Sequence, residues 1–332
     1  MSLLKVLILG PKSRYDAYAP AFLSQLPLEL AFLEQYPNTE QAARQNADAR
    51  CLLVDAITPV SADLMDLLPQ LKMIHSEGVA FNCIDLEAAR QRGIYVCHNK
   101  GCNASSVAEH TVMLMLMALR HGITGHQAVL AGRQFEMKQA VMVSKAPELG
   151  EQTVGLIGFG GIGQATARLL RPFGCRLFYY TAHRRPPEVE AELGTSYLPL
   201  DELASRCTIL SLHCAVNDQT RHIINGPLLE KVPRGTILVN TARGELIDDL
   251  AVRRALLDGR LGGIAIDTLY PEPTPADHPL VALPPEVADR AVYSPHLGGN
   301  TGGSFARGHE NMWNSVRLIL EGQRPNFIVN GL

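Results

Sequence analysis

The chain has 332 residues, of which 19% are charged and 46% apolar, with a formal net charge of −3. That is enough for two globular domains of ordinary size. The charges form neither a run nor a basic face, so a nucleic-acid partner is not expected. The apolar stretch at residues 112–119 is too short to cross a bilayer, so no membrane partner is expected either.

The N-terminal apolar run carries Lys5 and ends at Gly10-Pro11, which reads as a buried strand and not as a secretory signal. Strand-like runs at residues 5–9, 51–54, 73–75 and 95–97 alternate with helical segments near Leu64 and at 86–92. Gly93 is placed to end the latter helix. Beyond Cys102, the residues Asn103, Ser105 and Ser106 are N-cap candidates for a helix over 107–119 that is apolar on nearly every face. Its run from Met113 to Met117 is expected to pack in the core and not to form a cofactor or partner stripe. Residues 122–150 have weak periodicity and are read either as an extended arm wrapping a second subunit or as a mobile loop.

A second series starts at Thr153, with strands expected at 154–157, 176–180, 209–213, 237–240, 264–269 and 292–294 and a helix at 303–320. That helix has no strand of its own series left to pair with, so it is expected to return to the first domain. The predicted fold is α/β, with two Rossmann-like or flavodoxin-like domains, doubly wound parallel sheets and an interdomain cleft. The first domain takes residues 1–101 and 298–332, and the second takes 102–297.

Seven cysteines (Cys51, Cys83, Cys97, Cys102, Cys175, Cys207, Cys214) are odd in number and lack a framework spacing. Free thiols in a reducing compartment, and hence a cytoplasmic location, are expected. Cys97, His98 and Cys102 have no second ligand cluster at zinc-site spacing, so no metal site is expected.

The segment from Thr153 to Gly163 reads as a strand feeding a Gly-x-Gly-x-x-Gly turn, with a helix over 164–173 ended by Gly174. Gly158 permits the tight turn, Gly160 lets the backbone approach a pyrophosphate, and Gly163 lets helix and strand pack closely. The helix N-terminus, with Gly161 and Ile162, presents unpaired N–H groups to the anion. About 20 residues further on, an NAD site places an acid on the ribose. Here Thr181 stands at that place, followed by His183, Arg184 and Arg185, with no acid before Glu188. Arg184 or Arg185 suits a 2′-phosphate, so NADP(H) is expected over NAD(H).

Three later segments carry chemistry at expected strand ends: Asn240-Thr-Ala-Arg243-Gly, Asp267 with Glu272 in the loop after it, and Ser294-Pro-His296-Leu-Gly-Gly. Ligands bind at this carboxyl edge of a doubly wound sheet. A positioned acid and a cation there stabilise the negative charge that builds on oxygen when hydride reaches the neighbouring carbon.

With these motifs, with Gly78-Val-Ala, with the segment from Ile84 through Gly93-Ile, with Ser106-Val-Ala-Glu109-His and with Leu212-His213, nearly the whole chain resembles the D-isomer-specific 2-hydroxyacid dehydrogenases. The resemblance implies an NAD(P)-dependent enzyme for small 2-hydroxy or 2-oxo acids such as glyoxylate or hydroxypyruvate. It implies that Arg243 clamps the substrate carboxylate and adjacent oxygen, and that Val79 and Ala80 hold the carboxylate through backbone N–H groups. His296 is then the acid and base, with Glu272 fixing its ring and favouring the imidazolium. Thr241, Ala242, Asp267 and Gly298 would line the cofactor, and a homodimer is expected. His75, His98, His110 and His213 are read as satisfied core or interface residues. Phosphoglycerate oxidation and a dinucleotide-sensing corepressor are the less expected alternatives, since no regulatory segment follows Leu332. Asp267-Thr-Leu-Tyr270, Ala80 and Ala215 depart from the family's usual residues and put the pocket, and so the substrate, in question.

Overall fold

The computed structural model describes residues 3–33 and 39–332. The chain divides into two compact units, one formed by residues up to Asn103 with Thr301–Leu332, the other by Ala104–Asn300.

In the first unit, β1 (Leu4–Leu9), β2 (Leu28–Leu33), β3 (Cys51–Val54), β4 (Met73–Ser76) and β5 (Tyr95–Cys97) form a sheet of order β2-β1-β3-β4-β5. Every pairing is parallel. The chain starts in the middle, winds outward to β2, then crosses to the other side through β3, which is the flavodoxin-like order. Alternate residues of β1 serve opposite faces: Leu7 and Leu9 join one core with Leu52, Val54 and Ile74, and Val6 and Ile8 join the other with Leu53 and Met73. Burial on both faces explains why β3, and β1 from Val6 onward, read as unbroken apolar runs. The second face is closed by the helix Gly302–Leu320 through Met312, Trp313, Val316 and Ile319. Each of these fully buried side chains contributes about 2 kcal/mol of hydrophobic stabilisation.

The second unit holds seven parallel strands: β6 (Thr153–Ile157), β7 (Arg176–Tyr180), β8 (Thr195–Tyr197), β9 (Ile209–Leu212), β10 (Thr236–Asn240), β11 (Leu261–Ile266) and β12 (Ala291–Tyr293). Their order is β12-β11-β10-β9-β6-β7-β8, the Rossmann arrangement with its switch point between β6 and β9. Ile209, Ile237 and Val239 face one core and Leu210, Leu238 and Leu212 the other.

Two strands, β2 and β8, have no counterpart among the sequence expectations. Both are edge strands: β8 is short and polar and gives no apolar signal, whereas β2 is apolar at every position but Glu29 and carries a strand signal as strong as that of β1. β11 starts earlier and ends earlier than expected, which leaves Asp267 just past the strand and not inside it. Residues 122–144 are neither an extended arm nor an irregular loop. They fold as the helices Gly122–Leu130 and Gln134–Ser144. Within them only Ala128 is buried among the described residues, so their sequence shows no core-facing stripe. The Met113–Met117 run also divides: Leu114 and Met115 are buried, whereas Met113 is exposed. Among the described residues, no helix is long and apolar enough to cross a membrane.

Candidate active site

At the switch point of the second unit, β6 turns through Gly158 into the helix Gly161–Leu170. Gly158 has φ +98°, and a Cβ on it would lie 2.4 Å from the Cys214 backbone nitrogen, so only glycine fits. A Cβ on Gly163 would meet the Gly158 carbonyl oxygen at 2.4 Å, so helix and strand touch there. Around Gly160, by contrast, a Cβ would find nothing within 4 Å. Gly160 is the N-cap and offers no side-chain cap, so the N–H groups of Gly161, Ile162 and Gly163 open the helix without intrahelical acceptors. An open backbone at Gly160 and a bare helix start fit a dinucleotide pyrophosphate.

Past β7 the four cofactor candidates part ways. Arg184 forks onto Glu190, with Nε and Nη2 at 2.8 and 2.9 Å, and Glu190 also accepts from the Tyr179 hydroxyl at 2.7 Å. The Arg184 guanidinium holds the Glu190 carboxyl below its usual range. Arg185 is tied to the glycine loop itself: its Nε donates to Phe159 O at 3.0 Å and its backbone N–H to the Tyr179 hydroxyl at 2.9 Å. Thr181 is half-buried and His183 exposed. Arg184 and Arg185 have equal standing in the sequence, but in the fold Arg184 is committed to an acid six residues ahead of it.

After β10, the buried Asn240 side chain shapes the next turn. Its Oδ1 accepts from Ala242 N at 3.0 Å and its Nδ2 donates to Arg243 O at 2.8 Å, which wraps the backbone around one amide. Thr241 is buried, and its hydroxyl lies 2.8 Å from that of Thr111. Arg243 is left exposed, with Nη1 donating to Ala242 O at 2.6 Å. Gly244 lets this turn press on the next loop, since a Cβ there would lie 2.4 Å from the Tyr270 nitrogen.

That next loop carries Glu272, and the loop after β12 carries His296. The structure brings the two together: His296 Nδ1 lies 2.9 Å from both Glu272 oxygens. A carboxylate in this position accepts, so Nδ1 carries the hydrogen and Nε2 is left without a partner among the described residues. His296 sits at φ +55°, a left-handed conformation that a non-glycine residue holds only when its surroundings impose it.

Asp267 imposes it. Its carbonyl accepts from His296 N at 2.9 Å, and its carboxylate accepts from Leu297 N at 2.8 Å, Gly298 N at 2.9 Å and the Ser294 hydroxyl at 2.5 Å. His110 completes the set, with Nε2 2.7 Å from Ser294 Oγ and 3.3 Å from Asp267 Oδ1. Burial alone would raise the Asp267 carboxyl, but the bonds from His110, Ser294, Gly298 and Leu297 outweigh it and hold it at about 2. The sequence points to Asp267 as a cofactor contact. Its observed work is to frame the His296 turn, and His110, read as a satisfied residue, is part of that frame. No sequence signal joins His110 to Ser294, which lies 184 residues away.

In the first unit, Val79 and Ala80 follow β4 at its carboxyl end. Neither backbone N–H has a partner among the described residues. Burial lowers the His75 and His213 imidazoles to about 4 and about 3, but neither is the satisfied histidine expected: His75 Nε2 and His213 Nδ1 are buried without a hydrogen-bond partner among the described residues. No group of three or more potential metal ligands occurs among the described residues.

Known proteins give this geometry its context. The NAD binding domain of the D-isomer specific 2-hydroxyacid dehydrogenases matches residues 112–298. A glyoxylate reductase of Thermofilum pendens is 33% identical over 294 residues, covering 89% of this chain and 85% of that protein. A formate dehydrogenase of Pseudomonas sp. (strain 101) is 37% identical over 254 residues, covering 76% of this chain and 61% of that protein. The crystal structure of a glyoxylate reductase from Paecilomyes thermophila superposes with a TM-score of 0.81 at 28% identity, covering 99% of each chain. The glycine loop, the Arg243 turn and the His296–Glu272 pair are thus set in a chain that belongs to the D-isomer specific 2-hydroxyacid dehydrogenases, NAD(P)-dependent oxidoreductases of small 2-hydroxy and 2-oxo acids.

Proposed function

We propose that the chain is a 2-oxoacid reductase that prefers NADPH and acts on glyoxylate, hydroxypyruvate or a bulkier relative. The carrying observation is the His296–Glu272 pair, which holds Nδ1–H and leaves Nε2 available to a substrate oxygen.

In this reading Arg243 takes the substrate carboxylate and the adjacent carbonyl oxygen with its planar fork. The N–H groups of Val79 and Ala80 are further donors to the carboxylate. His296, protonated on both nitrogens, gives the Nε2 proton to the carbonyl oxygen as its negative charge develops. Glu272 stabilises the imidazolium before transfer and keeps the neutral ring in place after it. In the reverse direction Nε2 accepts the hydroxyl proton. The nicotinamide, when bound, supplies or takes up the hydride, with Gly158, Gly160, Gly161, Ile162 and Gly163 holding its pyrophosphate end. Thr241, Ala242 and Gly298 are the remaining proposed cofactor contacts.

The preference for NADPH rests on the residues just past β7. Thr181 brings no negative charge to the ribose, and Arg185 is bonded through Nε to the glycine loop, so its guanidinium stands beside the dinucleotide site. Arg184, held by Glu190, has the lesser part. The scattered free thiols, from the buried Cys51 to the exposed Cys83, fit a reducing compartment, and we place the protein in the cytoplasm. A homodimer is supported by Val129, Leu130, Phe135, Met142 and Val143, all exposed on the two helices of residues 122–144, and by an apolar groove lined by Met113, Leu116, Met117, Leu169 and Phe173.

The test is loss of reduced nicotinamide on mixing the protein with NADPH or NADH and a panel of 2-oxo acids. Oxidation of NADPH with glyoxylate or hydroxypyruvate is expected, and Arg185→Gln is expected to lower the NADPH-to-NADH preference by roughly tenfold. An unaltered preference in that variant refutes the role given to Arg185, and inertness toward every acid refutes the reaction.

A further inference from the structure

We propose that His98 is a positioning residue for the carboxylate-binding segment, aiming the Ala80 N–H through a bond to the carbonyl on the other side of the same peptide. The inference rests on the reading that Val79 and Ala80 take the substrate carboxylate.

Four consecutive carbonyls after β4 are held by side chains or by the β5 loop. Glu77 O accepts from Asn99 Nδ2 at 2.7 Å, and Gly78 O accepts from the Asn99 backbone N–H at 3.0 Å. Val79 O lies 2.8 Å from His98 Nδ1, and Ala80 O accepts from the Ser76 hydroxyl at 2.6 Å. A carbonyl only accepts, so Nδ1 is the protonated nitrogen of His98.

In a trans peptide the C=O of one residue and the N–H of the next lie in one plane and point in opposite directions. Fixing a carbonyl therefore fixes the following N–H. Asn99 N, by holding Gly78 O, sets the Val79 N–H. His98, by holding Val79 O, sets the Ala80 N–H. These two successive N–H groups have no partner among the described residues, while every carbonyl around them is taken. Successive unpaired N–H groups of this kind make an anion-binding concavity.

The base of the segment is fixed as firmly. Glu77 N donates to Val54 O at 2.7 Å, and the buried Glu77 carboxylate accepts from His309 Nε2 at 2.8 Å and pairs with Arg14 Nη2 at 2.5 Å. The His98 ring also stands edge-on to Phe81, with centroids 5.1 Å apart. Packing alone is thus one use of the ring, and the hydrogen bond is another; they are separable by substitution.

His98→Phe keeps the aromatic edge and removes the donor. It is expected to raise KM for the 2-oxo acid about tenfold, as for loss of one well-placed hydrogen bond to a charged group, with kcat and NADPH affinity within about twofold. His98→Gln, whose amide still donates, should recover part of that loss. An unchanged KM in His98→Phe, or a fall in kcat and cofactor affinity equal to the rise in KM, overturns the proposal. Amide exchange of the wild-type protein gives a reading that needs no variant: oxalate with NADPH should slow exchange at Ala80, and no slowing there overturns the proposal. A wild-type protein that reduces no 2-oxo acid sinks the functional reading and this inference together. An active wild type with indifferent His98 variants sinks this inference alone.

Discussion

The carboxyl edges of the two sheets offer ligands different kinds of group. On the seven-stranded sheet the proposed working groups are side chains: Arg243, Glu272 and His296, each exposed to some degree, with Arg243 and His296 in turns folded around a buried residue. Asn240 folds the Arg243 turn and Asp267 folds the His296 turn. On the five-stranded sheet the groups on offer are the backbone N–H groups of Val79 and Ala80, and the frame is His98, Asn99, Ser76 and Glu77. Chemistry that changes protonation needs side chains with labile protons, whereas holding a carboxylate needs only fixed donors. In both units the residue proposed to meet a ligand is one thing and the residue that fixes its geometry is another.

Breaking the frame on the side-chain edge should have the larger effect. In Asp267→Asn the new amide would set a donor against the N–H of Leu297 or Gly298 and remove a buried charge bonded by His110 and Ser294. The expected loss is about 3 kcal/mol of stability, read by denaturant unfolding, together with most of the turnover as the His296 turn relaxes. The carboxylate of the wild type adds a pH dependence of definite sign. Its folded value, about 2, lies below the ordinary carboxylate range, so its contribution is complete above about pH 4 and is lost as pH falls toward 2. An acid unfolding curve of Asp267→Asn should be flatter than the wild type in that window, and identical slopes would contradict the assignment.

A smaller effect separates two positions of the glycine loop, where backbone is again the proposed binding group. Gly160→Ala places its methyl in open space, so stability should change by less than about 0.5 kcal/mol while NADPH affinity falls roughly tenfold. Gly158→Ala meets backbone at 2.4 Å from a left-handed φ and should cost stability as well as affinity. Thermal melting beside cofactor titration reads both, and equal stability losses in the two variants would show that Gly160 is not the open point of the loop.

The side-chain edge is the more legible in the sequence. Arg243, Glu272 and His296 announce themselves as reactive residues just past apolar strands, and the parallel sheets announce themselves because strands buried on both faces read as continuous apolar runs. The edge strand β8 does not, being short and polar, and the helices of residues 122–144 do not, having almost no buried face. The frames are illegible for another reason. His110 with Ser294, Glu77 with His309 and His98 with Val79 are pairings across the fold, and local spacing carries no trace of them. Arg184 is a different case: a basic residue in the right place for a phosphate forks onto Glu190, a pairing that its sequence neighbourhood does not announce.

The role of His296 as proton donor is tested most simply by His296→Asn, measured for NADPH binding and for turnover of glyoxylate or hydroxypyruvate beside the wild type. Binding should stay within about twofold, and turnover should fall by roughly 10²–10⁴-fold, the usual worth of a positioned general acid. Turnover within a few fold of the wild type would contradict that role, because the Nε2 proton would then not be the one the substrate oxygen receives.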